Sequence, residues 1–287
     1  MLTYLRNRYH PLWRLRRSRS YRALQKIVDF PIGRRDSHGY FYYAYWLRDL
    51  TQFLPHQGME AKTANIIGKV AEKIRPTLFV DVGANMGCYS LDMLGLYPEC
   101  KALLFEPDQA NIRLIERWRQ KNAMDRAELI PCAVSSECGE ARFLVDGVSG
   151  ATGSLDGEPE NEWSLHHAYG MSKYTTVKTV SLDSLWAKFS EHQNILMKVD
   201  VEGSEHRVFA GAAEVLAKLR PVIEVECFIL SKLLGLQAAG YVIYDLDEGG
   251  NRLAIPAENK NLSVYLDELG LKPLTLSEKE ASFATSQ

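Results

Sequence analysis

Apolar runs of strand length alternate with amphipathic stretches of helical length along most of the chain. Residues 61–74 place four large apolar side chains on one helical face, which predicts a helix that ends before Pro76. The segment 78–82 that follows is apolar except for Asp81 and predicts a buried strand. Similar runs predict further strands at 101–106, 127–132, 194–200, 221–226, 241–246 and 261–265.

Helical patterns separate these strands, and the alternation determines the fold class. Asp108 and Ser204 are candidate N-caps for two of the helices. Strand–helix alternation is typical of an α/β fold, with a mostly parallel sheet covered by helices on both faces. Helices are expected at 89–97, after Asp108, at 182–189, after Ser204 and at 229–239, with β segments at 141–145 and 175–180.

The pattern divides the chain into three parts. Residues 1–60 are basic and aromatic-rich and are predicted to form a helical extension. Residues 61–270 form the α/β domain, whose insert at 147–173 is long enough to act as a lid or to be a solvated surface loop. Residues 271–287 are a polar tail.

Positive charge is concentrated at the N-terminus. Residues 1–35 contain ten Lys/Arg and one acidic residue, Asp29, although the whole chain has a net charge of only −2. This segment could contact an anionic membrane surface, or it could pack on the domain with a solvated basic face. Nucleic-acid binding is not expected, because no nucleic-acid reader motif accompanies the charge.

Cysteine usage and hydropathy indicate the compartment. The five cysteines form no Cys-x-x-Cys pair, which predicts a reducing compartment and no zinc site, and no other metal-binding spacing stands out. No apolar run approaches the roughly 20 residues that a membrane helix needs, and a signal-peptide pattern is missing. We therefore expect a cytoplasmic protein without a metal, with peripheral contact at the inner membrane face as the alternative.

Carboxylates lie at the ends of four predicted strands: Asp81, Glu106, Asp200 and Glu226. In open α/β sheets, ligands bind at the carboxyl ends of the strands, so these acids are candidates for a site. Glu106, at the end of the second strand, suits the vicinal hydroxyls of a ribose. The turn at 83–87 (Gly-Ala-Asn-Met-Gly) lacks the third glycine of a dinucleotide fingerprint and the Gly-Lys-Ser/Thr of a P-loop.

The motifs together resemble the FkbM family of S-adenosylmethionine-dependent methyltransferases over residues 75–246. The segments that carry the resemblance are 81–87 with Tyr89 and Ser90, 105–107, 130–135, 179–183, 198–203 with Glu205, and 220–226. Ser154, within Gly153-Ser-Leu155, matches a shorter family pattern. The resemblance implies a class I methyltransferase Rossmann-like fold with a seven-stranded, mostly parallel sheet.

The same resemblance implies S-adenosyl-L-methionine as the cofactor. The glycine turn would hold its methionine end, with Asp81 near the amino group and backbone N–H groups near the carboxylate. Glu106 would accept the ribose hydroxyls, and Cys132 and Ala133 would border the adenine. The expected cofactor-binding residues are Asp81, Gly83, Ala84, Asn85, Gly87, Glu106, Pro107, Cys132 and Ala133.

Methyl transfer to a hydroxyl requires a general base within hydrogen-bond reach. Asp200 and Glu226 are the favoured candidates, and Glu202 and His206 are the others. Acids such as Glu202 are also common in the first turn of a helix for purely structural reasons. Cys227 stands where the family commonly has a histidine after the acid of the fifth strand, so His206, or His166 in the insert, could substitute for it.

The segment after the predicted strand at 194–200 indicates the type of acceptor. An Asn/Asp-Pro-Pro-Tyr motif, typical of amino-group methyltransferases, is absent there, which favours a hydroxyl. The resemblance suggests a glycan or a secondary metabolite as the small-molecule or glycan acceptor. A non-catalytic, cofactor-binding scaffold in a glycan-assembly complex and an NAD-dependent oxidoreductase are the alternatives. The sequence leaves the oligomeric state open.

Overall fold

A computed structural model describes residues 19–49, 60–146, 150–155 and 173–274. The expectations for residues 1–18, for His166 and His167, for most of the insert and for most of the polar tail fall outside the described residues.

The described part of the N-terminal segment contains one helix and one β-hairpin. Helix α1 (Arg19–Val28) is followed by strands β1 (Pro31–Arg35) and β2 (Phe41–Tyr45), which pair antiparallel. The prediction of a helical extension is therefore right for α1 and wrong for 31–45. The aromatic residues of β2 explain the difference, because aromatic side chains favour the pleated surface of a strand.

The hairpin packs on the α/β domain. Ala44 of β2 is fully buried together with Met86 and Leu114. Asn122 extends the edge of β2: its Oδ1 accepts from the Phe41 N–H at 2.8 Å, and its Nδ2 donates to the Phe41 carbonyl at 2.7 Å. The hairpin and the domain therefore share hydrophobic contacts and backbone hydrogen bonds.

The remaining helices and strands alternate as the pattern predicts. Short 3₁₀ turns, Asp183–Leu185 and Leu230–Leu233, lead into two of the helices. In chain order the elements are α2 (Ala61–Ile74), β3 (Leu78–Val82), α3 (Cys88–Leu96), β4 (Lys101–Phe105), α4 (Gln109–Lys121), β5 (Ala127–Ile130), β6 (Ala133–Val134), β7 (Gly139–Val145), β8 (Ser154–Leu155), β9 (Lys173–Val180), α5 (Trp186–Phe189), β10 (Ile195–Val199), α6 (Glu205–Ala210), α7 (Ala213–Lys218), β11 (Val222–Glu226), α8 (Leu234–Ala238), β12 (Tyr241–Asp245), β13 (Asn251–Pro256) and α9 (Lys260–Glu268).

The main sheet has seven strands in the order β12-β13-β11-β10-β3-β4-β5. The five strands β11, β10, β3, β4 and β5 are parallel, and β13 runs antiparallel to both of its neighbours. The seven-stranded, mostly parallel sheet of the expected class I methyltransferase fold is thus confirmed. A second sheet, in the order β6-β9-β7-β8, forms from strands before, within and at the end of the insert.

Alternation along β3 shows how the sheet is buried on both faces. Leu78, Val80 and Val82 belong to the apolar cluster that also contains Val208 of α6. Phe79 belongs to the cluster on the other face, formed with α2 and α9. Asp81 shares that second face, so its carboxyl group is directed toward the side of the sheet that α2 and α3 cover.

The seventh strand differs from the sequence prediction. Residues 261–265 lie in helix α9, and β13 is the strand that completes the sheet. Leu262 and Leu266 are both buried, at the spacing of one helical turn. Asn259 caps the helix by accepting from the Leu262 N–H at 3.2 Å.

Two predicted caps have different outcomes. Asp108 caps α4 as expected, because its side chain accepts from the Ala110 N–H at 2.6 Å. Ser204 precedes α6 but makes no side-chain cap bond. The Glu205 carboxylate instead accepts from the Gly203 N–H at 2.9 Å and so stabilises the entry to that helix.

Among the described residues, no helix combines the length and the hydropathy that crossing a membrane would require.

Candidate active site

A cleft opens at the carboxyl ends of β3, β4 and β10, the edge at which a ligand is expected. Loops after these strands form one part of its lining. The predicted site residues that line the cleft are Gly83, Asn85, Glu106, Pro107, Ala133 and Asp200.

Another part of the lining comes from the smaller sheet and from the short segment 150–155. Ala133 of this part was predicted to bind the cofactor, whereas the role of the others was not predicted. The short Gly153-Ser-Leu155 motif was the sequence signal for the segment 150–155. The residues missed by the sequence reasoning are Phe105, Asp108, Asn111, Val134, Phe143, Gly150, Ala151, Gly153, Leu155 and Val201.

Gly83 makes the turn at the end of β3 possible. Its backbone is left-handed, with φ of 82°, and a Cβ there would lie 1.9 Å from the carbonyl oxygen of Asp200. The N–H groups of Gly83 and Ala84 both donate to the Phe105 carbonyl at 3.0 Å. The turn is therefore held against the ends of both neighbouring strands, β10 and β4.

Gly87 accommodates a protein side chain. Its φ is 80°, and a Cβ there would lie 3.0 Å from the indole of Trp118 on α4. The Trp118 Nε1–H donates to the Met86 carbonyl at 3.0 Å. Ala84 is buried in the same cluster as Trp118. Gly87 and Ala84 therefore shape the turn from behind, and neither is among the residues that line the cleft.

Asp81 lies behind the turn as well. It is 2% exposed, and its Oδ2 accepts from the Ser90 hydroxyl at 2.6 Å, which ties β3 to α3. Burial raises the pKa of Asp81, while Lys198 and Ser90 oppose that rise. The structure thus shows Asp81 anchoring α3, and its contact with a cofactor amino group stays a prediction.

Glu106 presents a fixed carboxylate to the cleft. Its Oε2 accepts from the Asn85 N–H and its Oε1 from the Asp108 N–H, both at 2.7 Å. Burial raises the pKa of Glu106 to about 8, although the two backbone donors and the Asn111 side chain act against the rise. Each oxygen keeps a lone pair with which it could accept a ligand hydroxyl.

Asn85 contributes a buried acceptor beside Glu106. Its backbone is left-handed, with φ of 54°, a conformation that asparagine adopts more readily than most residues. Within the described part of the chain, its Oδ1 is buried and has no hydrogen-bond partner. Because an unpaired buried acceptor is costly, a ligand that carries N–H or O–H donors would fit here.

One wall of the cleft is apolar. Ala133, Phe143 and Leu155 are buried together, one each from β6, β7 and β8. Such a surface suits the face of a flat ring. Ala133 was predicted to border the adenine, whereas Cys132, its partly buried neighbour, is not among the lining residues.

Asp200 is held at the edge of the cleft by a buried lysine. Its Oδ2 accepts from the Lys198 ammonium at 2.8 Å. Lys198 is 5% exposed and lies between Asp81 and Glu224 in the strand register. Burial opposes the charged form of Lys198, but Asp200, Glu224 and Glu60 together raise its pKa. The lysine therefore carries a positive charge among these acids.

The other candidate bases lie around Asp200. Glu226, at the end of β11, is partly buried, and burial together with Asp200 and Glu202 raises its pKa. Glu202 adopts a left-handed backbone, with φ of 52°, in the loop after β10, and His206 is exposed on α6. The structure describes all four candidates, and of these Asp200 alone is among the residues that line the cleft.

Within the described ranges, His, Cys, Asp and Glu side chains form no group of three or more that could hold a metal ion.

Comparison with known proteins assigns the family. Residues 81–242, more than half of the chain, match the family described as "Methyltransferase FkbM domain". The chain belongs to the FkbM methyltransferase family. The matched region runs from the glycine turn into β12 and contains every residue predicted to bind the cofactor or to act as base.

Individual relatives of this FkbM methyltransferase are distant. The 2-O-methyltransferase NoeI of Sinorhizobium fredii is 29% identical over 182 residues, which cover 61% of this chain and 72% of the relative. Methyltransferase FkbM from Methylobacillus flagellatus KT matches with a TM-score of 0.42 and 15% identity, over 62% of this chain and 42% of that one. A putative caffeoyl-CoA O-methyltransferase from Staphylococcus aureus matches with a TM-score of 0.42 and 8% identity, over 72% and 88%.

Proposed function

We propose that this methyltransferase uses S-adenosyl-L-methionine to methylate a hydroxyl group of a glycan or secondary metabolite. The observation that carries the proposal is the buried Glu106 carboxylate, fixed in the cleft by two backbone N–H groups beside the glycine turn. The family match supports methyl transfer, and the name of the relative NoeI, a 2-O-methyltransferase, supports oxygen as the acceptor atom.

The cleft has three kinds of surface that fit such a cofactor. Glu106 would accept the ribose hydroxyls, and the apolar wall at Phe143 and Leu155 would contact the adenine. The unpartnered Oδ1 of Asn85 would accept from a donor group of the ligand. When bound, S-adenosyl-L-methionine would supply an electrophilic methyl group, and the protein would supply orientation and a proton acceptor.

Asp200 is the proposed general base, because it lines the cleft and its position is fixed by Lys198. Its carboxylate would take the proton of the acceptor hydroxyl as the new carbon–oxygen bond forms. Glu226 is the second candidate, because burial and the neighbouring acids Asp200 and Glu202 raise its pKa and so make its carboxylate a stronger base. Glu202 and His206 would then help to bind the acceptor.

Titration calorimetry with S-adenosylhomocysteine, the demethylated product, tests cofactor use. We expect saturable binding, and no binding at millimolar concentration would overturn the proposal. NADH serves as the control ligand, since a dinucleotide-dependent oxidoreductase would bind it in preference. Incubation of a glycan or metabolite extract with CD₃-labelled cofactor then tests transfer, because one labelled methyl group adds a defined mass.

Substitutions of the candidate acids test which residue is the general base and whether the protein is a catalyst or a non-catalytic scaffold. With an acceptor from the labelled extract, Asp200→Asn is expected to abolish transfer while S-adenosylhomocysteine still binds. Glu226→Gln is the parallel variant, and Glu116→Gln on the exposed face of α4 is the matched control. Unchanged transfer by both variants would show that the base is another group. Cofactor binding without transfer by the wild type to any extract would favour the scaffold.

We also propose cytoplasmic placement with peripheral contact to an anionic membrane through the N-terminal segment. In the described part of the chain, the five cysteines form no disulfide, as in a reducing compartment. On and after α1, Leu24, Ile27 and Phe30 are 49%, 81% and 56% exposed, in a segment rich in basic residues. Exposed apolar side chains beside positive charge suit the surface of an anionic bilayer.

Vesicle sedimentation tests the membrane contact. We expect the full chain to sediment with phosphatidylglycerol-containing vesicles, less so at high salt, and not with pure phosphatidylcholine. Leu24→Ser with Ile27→Ser should reduce binding, whereas Val264→Ser, at a site on α9 that is 57% exposed, should leave it unchanged. Equal binding by all these proteins, or binding insensitive to salt, would remove the proposal.

A further inference from the structure

A buried arginine from the N-terminal segment contacts the wall of the cleft. Arg48 lies outside the region 81–242 that matches the family and follows the hairpin directly. It is 6% exposed, although arginine is seldom buried without a specific set of partners. Its Nε and Nη2 donate to the two carboxylate oxygens of Asp49 at 2.8 and 3.2 Å. This bidentate pair fixes the plane of the guanidinium.

The guanidinium has a second partner in the cleft wall. Arg48 Nη2 also donates to Oδ1 of Asn111 on α4 at 2.7 Å. Because Arg48 occupies the oxygen end of this amide, Asn111 must direct its NH₂ group the other way. The NH₂ group donates to the carbonyl of Gly150 at 3.1 Å. The Asn111 side chain also lies close enough to Glu106 to lower the pKa of that carboxyl group. Asn111, Gly150 and Glu106 all line the cleft.

Gly150 packs against the same arginine. Its φ is 66°, and a Cβ there would lie 2.6 Å from the guanidinium carbon of Arg48. The arginine therefore contacts two lining residues, one through a hydrogen bond and one through close packing. Through them it positions both the segment 150–155 and the amide beside Glu106.

We propose that Arg48 is a positioning residue for ribose recognition, acting through Asn111 on the Glu106 carboxylate. The inference rests on the proposed use of S-adenosyl-L-methionine. A guanidinium is needed because one planar group must serve Asp49 and Asn111 at once. A lysine could retain the charge beside Asp49, but its single ammonium cannot reproduce this fork geometry. Without the bond from Arg48, the amide can rotate, and its NH₂ group is no longer held toward Gly150 in the wall beside Glu106.

Arg48→Lys is the test variant, because removing the charge entirely would leave Asp49 buried without its partner. Calorimetry with S-adenosylhomocysteine should show an affinity about tenfold weaker than that of the wild type. Asn111→Ala should reproduce this loss. Arg126→Lys is the matched control, since Arg126 is a partly buried arginine that donates to the carbonyls of Leu94, Tyr97 and Cys100, away from the cleft.

The preference for a ligand with ribose hydroxyls tests whether Arg48 positions the ribose-binding group or only stabilises the fold. Wild type and Arg126→Lys should bind adenosine more tightly than 2′,3′-dideoxyadenosine, which lacks both hydroxyls. Arg48→Lys should lose most of this preference, because its defect concerns the group that accepts those hydroxyls.

Three results would contradict the proposals, and they are distinguishable. If the wild type binds no S-adenosylhomocysteine, the proposed function itself fails. If the wild type binds it and Arg48→Lys keeps the same affinity and preference, the role of Arg48 is refuted. If Arg48→Lys weakens adenosine and 2′,3′-dideoxyadenosine equally, Arg48 supports the fold in general and does not position Glu106.

Discussion

At the residue scale, Gly83 is the position at which the smallest change should have the largest effect. Gly83→Ala adds one methyl group 1.9 Å from the Asp200 carbonyl oxygen, at a φ of 82°. The turn must open to accept this methyl group. We therefore expect the free energy of unfolding to fall by about 3 kcal/mol or more, measured as a fall in melting temperature.

Gly39→Ala separates the clash from the backbone strain. Gly39 has a φ of 86°, close to that of Gly83, but a Cβ there would meet nothing within 4 Å. Its substitution should therefore cost only about 1 kcal/mol. If both variants lost the same free energy of unfolding, the clash between the added methyl group at position 83 and the Asp200 carbonyl would not contribute.

Glu106 is the residue whose ionisation should control cofactor affinity. Glu106→Ala is expected to weaken binding of S-adenosylhomocysteine by about 1–3 kcal/mol, through loss of charge-assisted hydrogen bonds. Since burial raises the pKa of Glu106 to about 8, wild-type affinity should increase between pH 7 and 9 as the carboxylate forms. Calorimetry across this range checks both effects.

The control for Glu106 is Glu116→Ala, at an exposed position on α4. It should keep both the affinity and the pH dependence of the wild type. An affinity that does not change with pH, in a wild-type protein that binds, would contradict the titration of Glu106.

The site could be predicted from the sequence where a residue ends a strand. Glu106 and Asp200 were identified in this way, because strand ends follow from the apolar runs and the carboxyl edge of the sheet follows from the topology. The wall that contains Phe143 and Asn111 could not be predicted from the sequence. Its position depends on how the smaller sheet packs on the domain and on Arg48, which is distant from both residues in the sequence. Asp81 shows that an acid near a strand end need not line the cleft, because its carboxyl group lies behind the turn and accepts from Ser90.

At the element scale, the side chain of Asn122 completes the open edge of the β1–β2 hairpin. Asn122 makes two hydrogen bonds with the backbone of Phe41, at the place where a neighbouring strand would pair. Asn122→Ala should lower the free energy of unfolding by about 1–3 kcal/mol, because the Phe41 groups lose both partners. Thermal melts provide the measurement.

Asn261→Ala is the control for that variant, because Asn261 is exposed on α9. It should change the melting temperature little. If both substitutions had the same effect, the hydrogen bonds to Phe41 would not contribute measurably.

Helices and strands could be predicted where burial imposes one regular pattern of apolar residues along the sequence. The central strands are apolar throughout because helices cover both faces, and α2 shows a clear apolar stripe. The pattern failed at β13, which follows Gly249 and Gly250 and begins with the polar residues Asn251 and Arg252. It failed again at 261–265, because five residues are too few to distinguish a helix from a strand.

At the scale of the whole molecule, buried acids should make stability depend on pH. Burial raises the pKa of Glu224 to about 8 in the folded protein, from an ordinary value of 4.5. The folded protein therefore keeps a proton that the unfolded chain releases between these values. Since the folded state binds more protons in this window, the free energy of unfolding contributed by Glu224 falls as pH rises from about 4.5 to 8.

Glu224→Gln removes that titration. Relative to wild type, the variant should gain melting temperature between pH 5 and 9, by an amount equivalent to at least about 1 kcal/mol. Burial also raises the pKa of Glu106 and Glu226, but both groups are present in both proteins, so their effect cancels in the difference. Glu116→Gln is the control, and a difference that stays constant with pH would refute the prediction.

The extent of the functional unit is also a property of the whole molecule. The sequence predicted a boundary near residue 60, yet the preceding segment packs on Met86 and Leu114 and sends Arg48 to the cleft wall. Composition marks this segment as different, which is why it was separated. The contacts that join it to the domain are long-range and have no local pattern.

The indole of Trp118 gives the molecule an internal optical probe. It is fully buried behind the glycine turn, touches Gly87 and donates to the Met86 carbonyl. A buried indole fluoresces at shorter wavelength than an exposed one such as that of Trp46, so Trp118 contributes at the blue end of the combined emission of the five tryptophans. Any ligand that tightens or opens the turn will change the blue component of the spectrum, without a label and in real time.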